Sequence, residues 1–171
     1  AYGGPEFQRD VFVRAGLQHY LASLPEHMIP QSEAIAIFAT LYHDAGVSLS
    51  DANAIARDAG LRTGDYILAN RIPTFAQTVL RLLPKPLAAR ALLAAIGKHS
   101  WTFAGSGRFS ARYARPLVIE IASNPLSFDR CAWHCAVFER LFGALVSRNA
   151  HAVCSGQARQ SGGDCRFEIS V

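Results

Sequence analysis

All four cysteines of this 171-residue chain lie in its C-terminal third, at Cys131, Cys135, Cys154 and Cys165. The first two are four residues apart in a segment with helical periodicity, so we expect both on one helix face. The last two fall on the predicted arms of a terminal hairpin around Ser161-Gly162-Gly163. A long helix packed over this hairpin would bring thiols from both elements together, which constrains how this third of the chain folds.

Two interpretations of the cysteines are open. A structural zinc site needs four tetrahedral sulfur or nitrogen ligands, and His134 and His151 are nitrogen donors nearby in sequence. No Cys-x-x-Cys pair occurs, and buried cysteines also serve as small apolar side chains. Because the first residues carry no signal-peptide pattern, we expect thiols or metal ligands rather than disulfides.

The first hundred residues have helical patterns separated by glycine and proline. Apolar residues recur at helical spacing, and a proline or a glycine ends each run. The predicted helices span residues 5–22, 31–45, 51–60, 64–70, 74–83 and 87–97.

Strand patterns begin after His99. Trp101 and Phe103 alternate with smaller residues, so we predict a strand there, a turn at 105–107 and a second strand over 108–113. A third strand over 117–122 and a long helix over 127–147 follow, and segments 150–158 and 165–171 close the chain as a hairpin. The predicted fold class is α+β: N-terminal helices packed on an antiparallel sheet of about four or five strands, with the long helix before the C-terminal hairpin.

Length and composition limit the classes of function. A chain of 171 residues is expected to form a single domain over 1–171. The net charge is +4, but the basic residues are scattered, which argues against a nucleic-acid partner. No apolar run reaches the roughly 18 residues of a membrane span. Paired carboxylates at short spacing, a Gly-x-Ser-x-Gly motif and nicotinamide or flavin motifs are all missing, so the sequence favours binding over independent catalysis.

The aromatic segment from His99 to Phe109 surrounds the turn Gly105-Ser106-Gly107. Glycines allow a ligand to approach the backbone closely, so the aromatic rings could line a pocket for a large flat ligand. The alternative is that the rings fill the core.

Two motifs carry a resemblance to a known family. The segments His99-Ser-Trp-Thr-Phe-Ala-Gly-Ser-Gly107 and Cys131-Ala-Trp-His-Cys-Ala-Val-Phe-Glu-Arg-Leu-Phe142 resemble bacteriochlorophyll-biosynthesis proteins of the 4-vinyl reductase domain family. Tyr66-Ile-Leu-Ala-Asn-Arg-Ile-Pro73 and the terminal pattern Cys154 … Gly163-Asp164-Cys165-Arg-Phe167 add to it. The resemblance covers the chain from about residue 46 to the end, and it implies a small-molecule-binding domain with helices packed on an antiparallel sheet.

The resemblance also implies a zinc ion near the ligand pocket. Carried over by position, Cys131, Cys154 and Cys165 match three cysteine ligands of the family. His151 stands where the family has a glutamate, and Cys135 is an alternative fourth ligand.

The ligand implied by the resemblance is a divinyl Mg-tetrapyrrole, such as protochlorophyllide or a Mg-protoporphyrin. Aromatic rings would stack on the macrocycle, His99 would ligate magnesium or accept a hydrogen bond, and an arginine would pair with a propionate. The predicted ligand-binding residues are Tyr66, Arg71, Phe75, His99, Trp101, Phe103, Arg108 and Phe109.

A non-catalytic protein that holds this intermediate or delivers it to pathway enzymes is therefore the first hypothesis. The alternatives are a divinyl (proto)chlorophyllide vinyl reductase that uses an external reductant, and a ligand-sensing regulatory module. We expect a cytoplasmic location, with contact to the photosynthetic membrane that is at most peripheral; a homodimer is left open.

Overall fold

The computed structural model describes residues 4–23, 25, 29–155 and 162–171. Within them the chain forms seven α-helices and one four-stranded antiparallel sheet, which confirms the predicted α+β class. The helices are α1 (Gly4–Arg14), α2 (Gln31–Ala39), α3 (Leu49–Asn70), α4 (Thr74–Leu82), α5 (Lys85–Lys98), α6 (Trp101–Ala104) and α7 (Ala132–Leu145). The strands are β1 (Arg108–Arg112), β2 (Leu117–Asn124), β3 (His151–Cys154) and β4 (Gly163–Ser170).

The chain divides into two compact units, Ala1–Ile55 and Ala56–Val171. The first unit contains α1, a 3-10 turn at Gln18–Leu21, α2 and the start of α3. Helix α2 continues into a π-helical turn at Thr40–Asp44, so the predicted helix over 31–45 is confirmed. The predicted helix over 5–22 is interrupted at Gly16, whose φ of 72° lies in the left-handed region.

The second unit is built on the sheet, whose strand order is β1-β2-β4-β3. Alternate residues of β2 and β4 face α7, and their side chains are almost completely buried against its aromatic residues. The main members of this core are Ile119, Ile121, Phe138, Leu141, Phe142, Leu145, Phe167 and Ile169. The opposite face of the sheet is charged, and Glu120 there accepts hydrogen bonds from Arg112 and Arg166.

Helix α3 is one continuous helix, so the predicted end at Gly60 and the predicted restart at residue 64 are wrong. Both glycines instead allow α7 to approach. A Cβ atom on Gly60 would overlap the carbonyl oxygen of Trp133 and lie 2.8 Å from the Cβ of Ala136. A Cβ atom on Gly64 would lie 2.6 Å from the Cβ of Arg140. Glycine was mistaken for a helix end because its role here depends on a helix more than 60 residues away.

The predicted strand at Trp101 and Phe103 is also wrong, because these residues form the short helix α6. The amides of Phe103 and Ala104 both donate to the carbonyl of Ser100, so the chain makes a further helical turn after α5. Gly105, with a φ of 53°, then ends the turn. The strand predicted over 108–113 is confirmed as β1.

The C-terminal elements agree with the sequence pattern except at their limits. The predicted helix over 127–147 is shorter in the structure, where a 3-10 turn at Asp129–Cys131 precedes α7. Strand β3 ends at Cys154, and the predicted strand residues 156–158 and Ser161 of the predicted turn lie outside the described residues. No helix in the described part of the chain has both the length and the apolar character needed to cross a membrane.

Candidate functional site

Three cysteine sulfurs meet where the N-terminus of α7 faces the end of the β3–β4 pair. The sulfurs of Cys131, Cys154 and Cys165 all lie within 4.8 Å of one another. Cys131 occupies the N-cap position of α7, while Cys154 and Cys165 point from β3 and β4 toward the core. Cys154 pairs with Phe167 in the register, so Cys165 is its diagonal neighbour on the same face of the sheet.

The local backbone at α7 is unusual. Arg130 and Cys131 both have positive φ, 43° and 49°, which is uncommon for residues other than glycine. This conformation places the Cys131 thiol at the N-terminus of α7, where the helix dipole favours a thiolate. Backbone strain of this kind is often found at functional sites.

A buried amide completes the surroundings of the sulfurs. The Nδ2 group of Asn124 donates to the sulfur of Cys165 over 3.2 Å, and Asn124 is fully buried. The Oδ1 atom of Asn124 accepts from the amide of Leu126 and so holds the side chain in place. N–H donors of this kind stabilise a thiolate and orient metal ligands.

The pKa values of the thiols describe the site without a metal. Hydrogen bonds with Cys154 and Cys165, together with burial, raise the pKa of Cys131 far above its usual range. For Cys165 the hydrogen bond with Cys131 lowers the pKa, but the hydrogen bond with Cys154 and burial raise it to about 12 overall. With raised pKa values, the thiols of Cys131 and Cys165 stay protonated unless a cation replaces their protons.

The sulfur geometry fits a zinc ion. Tetrahedral ligands with Zn–S bonds of about 2.3 Å are separated by about 3.8 Å, so the three sulfurs need to move by less than about 1 Å. These three cysteines could therefore supply three of the four ligands. The described residues add no histidine, aspartate or glutamate to this group.

The other predicted metal ligands are placed elsewhere. The Nδ1 atom of His151 lies 2.7 Å from Oε1 of Glu139, and the His151 side chain is 67% exposed. Cys135 lies one turn along α7, where its sulfur contacts the carbonyl of Arg130 at 3.8 Å, and burial raises its pKa to about 12. His134 is fully buried, and its Nε2 group donates to the carbonyl of Phe103 over 3.0 Å.

The sequence did not indicate the role of Glu139. This carboxylate is 8% exposed and accepts hydrogen bonds from Arg57 of α3 and from the backbone amide of Ala152, and its Oε1 atom lies 2.7 Å from Nδ1 of His151. It thereby connects α3, α7 and β3 at the side of the cysteine cluster. The only available signal was a lone glutamate among the apolar residues of a core helix.

Of the predicted ligand-binding residues, some are exposed and some belong to the core. Trp101 is 55% exposed, Tyr66 53% and Phe75 73%. Phe103 is buried and packs on Phe138, with ring centroids 5.7 Å apart, and Phe109 is half-buried at the edge of the core. The alternative that the rings fill the core therefore describes Phe103, but not Trp101.

The remaining predicted ligand-binding residues are two arginines and a histidine. The guanidinium of Arg71 lies 5.9 Å from the ring centroid of Tyr66, so the structure brings these two together. His99 is exposed at the C-terminus of α5, and Arg108 begins β1. Arg108 lines a groove of about 690 Å³ on the charged face of the sheet, together with Glu120 and Arg166 but with none of the other predicted ligand-binding residues.

Fold and site together define an α+β domain in which a largely buried three-cysteine centre lies between a core helix and a C-terminal pair of strands. Sequence comparison identifies the family. The chain is 48% identical over 147 residues to the bacteriochlorophyll synthase 23 kDa chain of Rhodobacter capsulatus, an alignment that covers 83% of this chain and 68% of the relative. It is 51% identical over 125 residues to the protein of the same name from Cereibacter sphaeroides, covering 70% of this chain and 61% of the relative.

The chain therefore belongs to the family of the bacteriochlorophyll synthase 23 kDa chain. The predicted resemblance to BchJ, the bacteriochlorophyll synthase 23 kDa chain, is confirmed. The chain spans about two thirds of the length of these relatives. No family model matches the chain.

Proposed function

We propose that this chain is a tetrapyrrole-binding protein of bacteriochlorophyll biosynthesis, which holds a divinyl Mg-tetrapyrrole and delivers it to pathway enzymes. The role in the pathway rests on the two relatives named as bacteriochlorophyll synthase chains. The choice of ligand rests on the exposed aromatic side chains and the basic residues of the second unit.

The segment from residue 66 to 119 contains no aspartate or glutamate, and it carries the exposed aromatic side chains Tyr66, Phe75 and Trp101. Its basic residues are Arg71, Arg81, Lys85, Arg90, Lys98, Arg108, Arg112 and Arg115. Protochlorophyllide is a flat apolar ring system with a carboxylate at its edge. Exposed aromatic faces suit the ring, and an arginine beside them suits the carboxylate. Arg112 is already paired with Glu120, whereas Arg71 lies beside the exposed ring of Tyr66.

Trp101, His99 and the arginines have separate roles in this proposal. Trp101 stacks on the macrocycle, and His99, two residues earlier, ligates magnesium or accepts a hydrogen bond. Arg71, beside Tyr66, or Arg108 pairs with the propionate. Phe103, which is buried under α6, holds that helix in place rather than contacting the ligand.

A zinc ion at Cys131, Cys154 and Cys165 has a structural role in the proposal. It would tie the N-terminus of α7 to both strands of the terminal hairpin. The fourth ligand in this proposal is a water molecule, because neither predicted candidate, His151 or Cys135, lies in the group of three sulfurs. Metal analysis of the purified protein is expected to find about one zinc per chain.

Titration of the purified protein with divinyl protochlorophyllide tests the ligand assignment, with absorbance and tryptophan fluorescence as readouts. The chain has two tryptophans, so Trp101→Phe leaves Trp133 as the only fluorophore while it keeps an aromatic face. We expect Trp101→Phe to bind the pigment with reduced quenching, whereas Trp101→Ala and His99→Ala bind at least roughly fivefold more weakly.

The same titration with NADPH distinguishes the candidate functions. Saturable binding without conversion supports a carrier, and subsequent transfer to a purified pathway enzyme would establish delivery. Conversion to the monovinyl pigment would show that the protein is a vinyl reductase with an external reductant. No binding by the wild-type protein would refute the proposal and favour a regulatory module.

A further inference from the structure

Helix α4 has an apolar stripe that no described residue covers. Phe75, Val79 and Leu82 follow one another at helical spacing and are 73%, 52% and 81% exposed. The other side of α4 is anchored, because Leu80 packs against the core and the Gln77 side chain donates to the carbonyls of Leu68 and Ile72. The stripe is therefore a surface on a firmly held helix, and it is not needed for the core.

A cationic groove borders the same helix. It has a volume of about 670 Å³ and is lined by Arg81 of α4 and by Arg140 and Arg148 at the C-terminal end of α7, with no acidic residue in its lining. Arg81 donates to the carbonyl of Ala144, and Lys85 donates to the hydroxyl of Ser147. The nearest paired acid is Asp65, which forms a salt bridge with Arg140.

We propose that α4 docks on the surface of an anionic phospholipid bilayer. Its apolar stripe would enter the boundary between headgroups and acyl chains, and Arg81, Lys85 and Arg148 would contact lipid phosphates. A surface helix whose exposed apolar face is flanked by cationic side chains binds membranes in this way, without crossing them.

Charge decides between a bilayer and the other possible occupant, a second copy of this chain. The stripe borders a groove that is lined by Arg81, Arg140 and Arg148, with no acidic residue in its lining. Two copies that met through this surface would bring like charges together, whereas an anionic bilayer would neutralise them.

Vesicle cosedimentation without pigment tests this proposal independently of tetrapyrrole binding. The protein is mixed with vesicles of phosphatidylcholine alone or with vesicles in which a third of the lipid is phosphatidylglycerol. We expect binding that requires phosphatidylglycerol, and each of the substitutions Arg81→Gln and Arg148→Gln should weaken it about fivefold. The matched control is Arg62→Gln on α3, whose side chain is 72% exposed and lies outside this surface.

The apolar contribution is tested with a pair of valines of equal exposure. Val79 on α4 and Val153 on β3 are both 52% exposed, so Val153→Ser controls for the general effect of removing a surface valine. The double variant Val79→Ser/Leu82→Ser should bind at least roughly tenfold more weakly than wild type, whereas Val153→Ser should bind like wild type. These side chains are exposed, so folding should be unaffected, which circular dichroism checks.

Three results would overturn the proposal. The first is that the wild-type protein does not bind phosphatidylglycerol vesicles, and the second is that the wild type and the double variant bind them equally. The third is that sedimentation velocity shows a dimer for the wild type and a monomer for the double variant. The last result would assign the stripe to contact between two copies of this chain.

Discussion

The contact between α3 and α7 can be tested with one added methyl group. Gly60→Ala places a Cβ atom against the carbonyl oxygen of Trp133 and 2.8 Å from the Cβ of Ala136. Ordinary contact begins at 3.4 Å, and both neighbours are rigid parts of α7, so the helices must separate by more than half an ångström. Such overpacking usually costs about 1–3 kcal/mol.

The magnitude follows from two opposing effects. Alanine improves the helix propensity of α3 by about 1 kcal/mol, but this overlap involves main-chain atoms, so the steric cost lies at the upper end of the usual range or above it. We expect a net loss of about 2 kcal/mol in the free energy of unfolding and a fall in Tm of roughly 4–8 °C. Urea denaturation and a thermal scan measure both quantities.

Gly143→Ala is the matched control. Gly143 also lies inside a helix, but nothing lies within 4 Å of a Cβ atom placed there. The same substitution should therefore stabilise the protein by up to about 1 kcal/mol through helix propensity alone. If Gly60→Ala is as stable as Gly143→Ala, then α3 and α7 do not pack as closely as they do in this structure.

Three further predictions concern the site and its surroundings. Cys131→Ser should lose zinc and lower Tm, whereas Cys135→Ser should retain zinc in metal analysis; equal zinc contents would refute the three-cysteine centre. Glu139→Gln should reduce the free energy of unfolding by about 2–3 kcal/mol in urea denaturation, because a buried acceptor of two hydrogen bonds, one of them from an arginine, loses its charge; an unchanged value would contradict this role. Burial lowers the pKa of His134 from 6.5 to about 4. As the pH falls, the unfolded chain therefore binds a proton at this histidine before the folded chain does. The free energy of unfolding should fall by about 3 kcal/mol as the pH drops from 6.5 to 4. His134→Phe should reduce that slope in urea denaturation followed against pH, and an identical slope would show that other groups cause it.

Much of the fold follows from local pattern. Prolines and helical spacing predicted α4 and α5 to within a few residues, and the β-branched run of β2 predicted a buried strand. The same patterns predicted that helices come first and most strands later, because apolar residues recur every 3.6 residues in a helix and every 2 residues in a strand. The period of two at Trp101 and Phe103 failed because four residues are too few to separate a strand from a helical turn.

Local sequence patterns were sufficient to predict the fold class and the positions of most elements, and all four cysteines lie in the last third of the chain. Which of them meet depends on how separate elements pack: the sulfurs of Cys131, Cys154 and Cys165 converge, while Cys135 lies one helical turn further along α7 and His151 lies beside Glu139. The role of Gly60 also depends on packing, because α7, which is distant in sequence, occupies the space that a side chain at this position would need. Local patterns depend on neighbours along the chain, but a site of converging side chains depends on how separate elements pack, and this packing is fixed only in the folded protein.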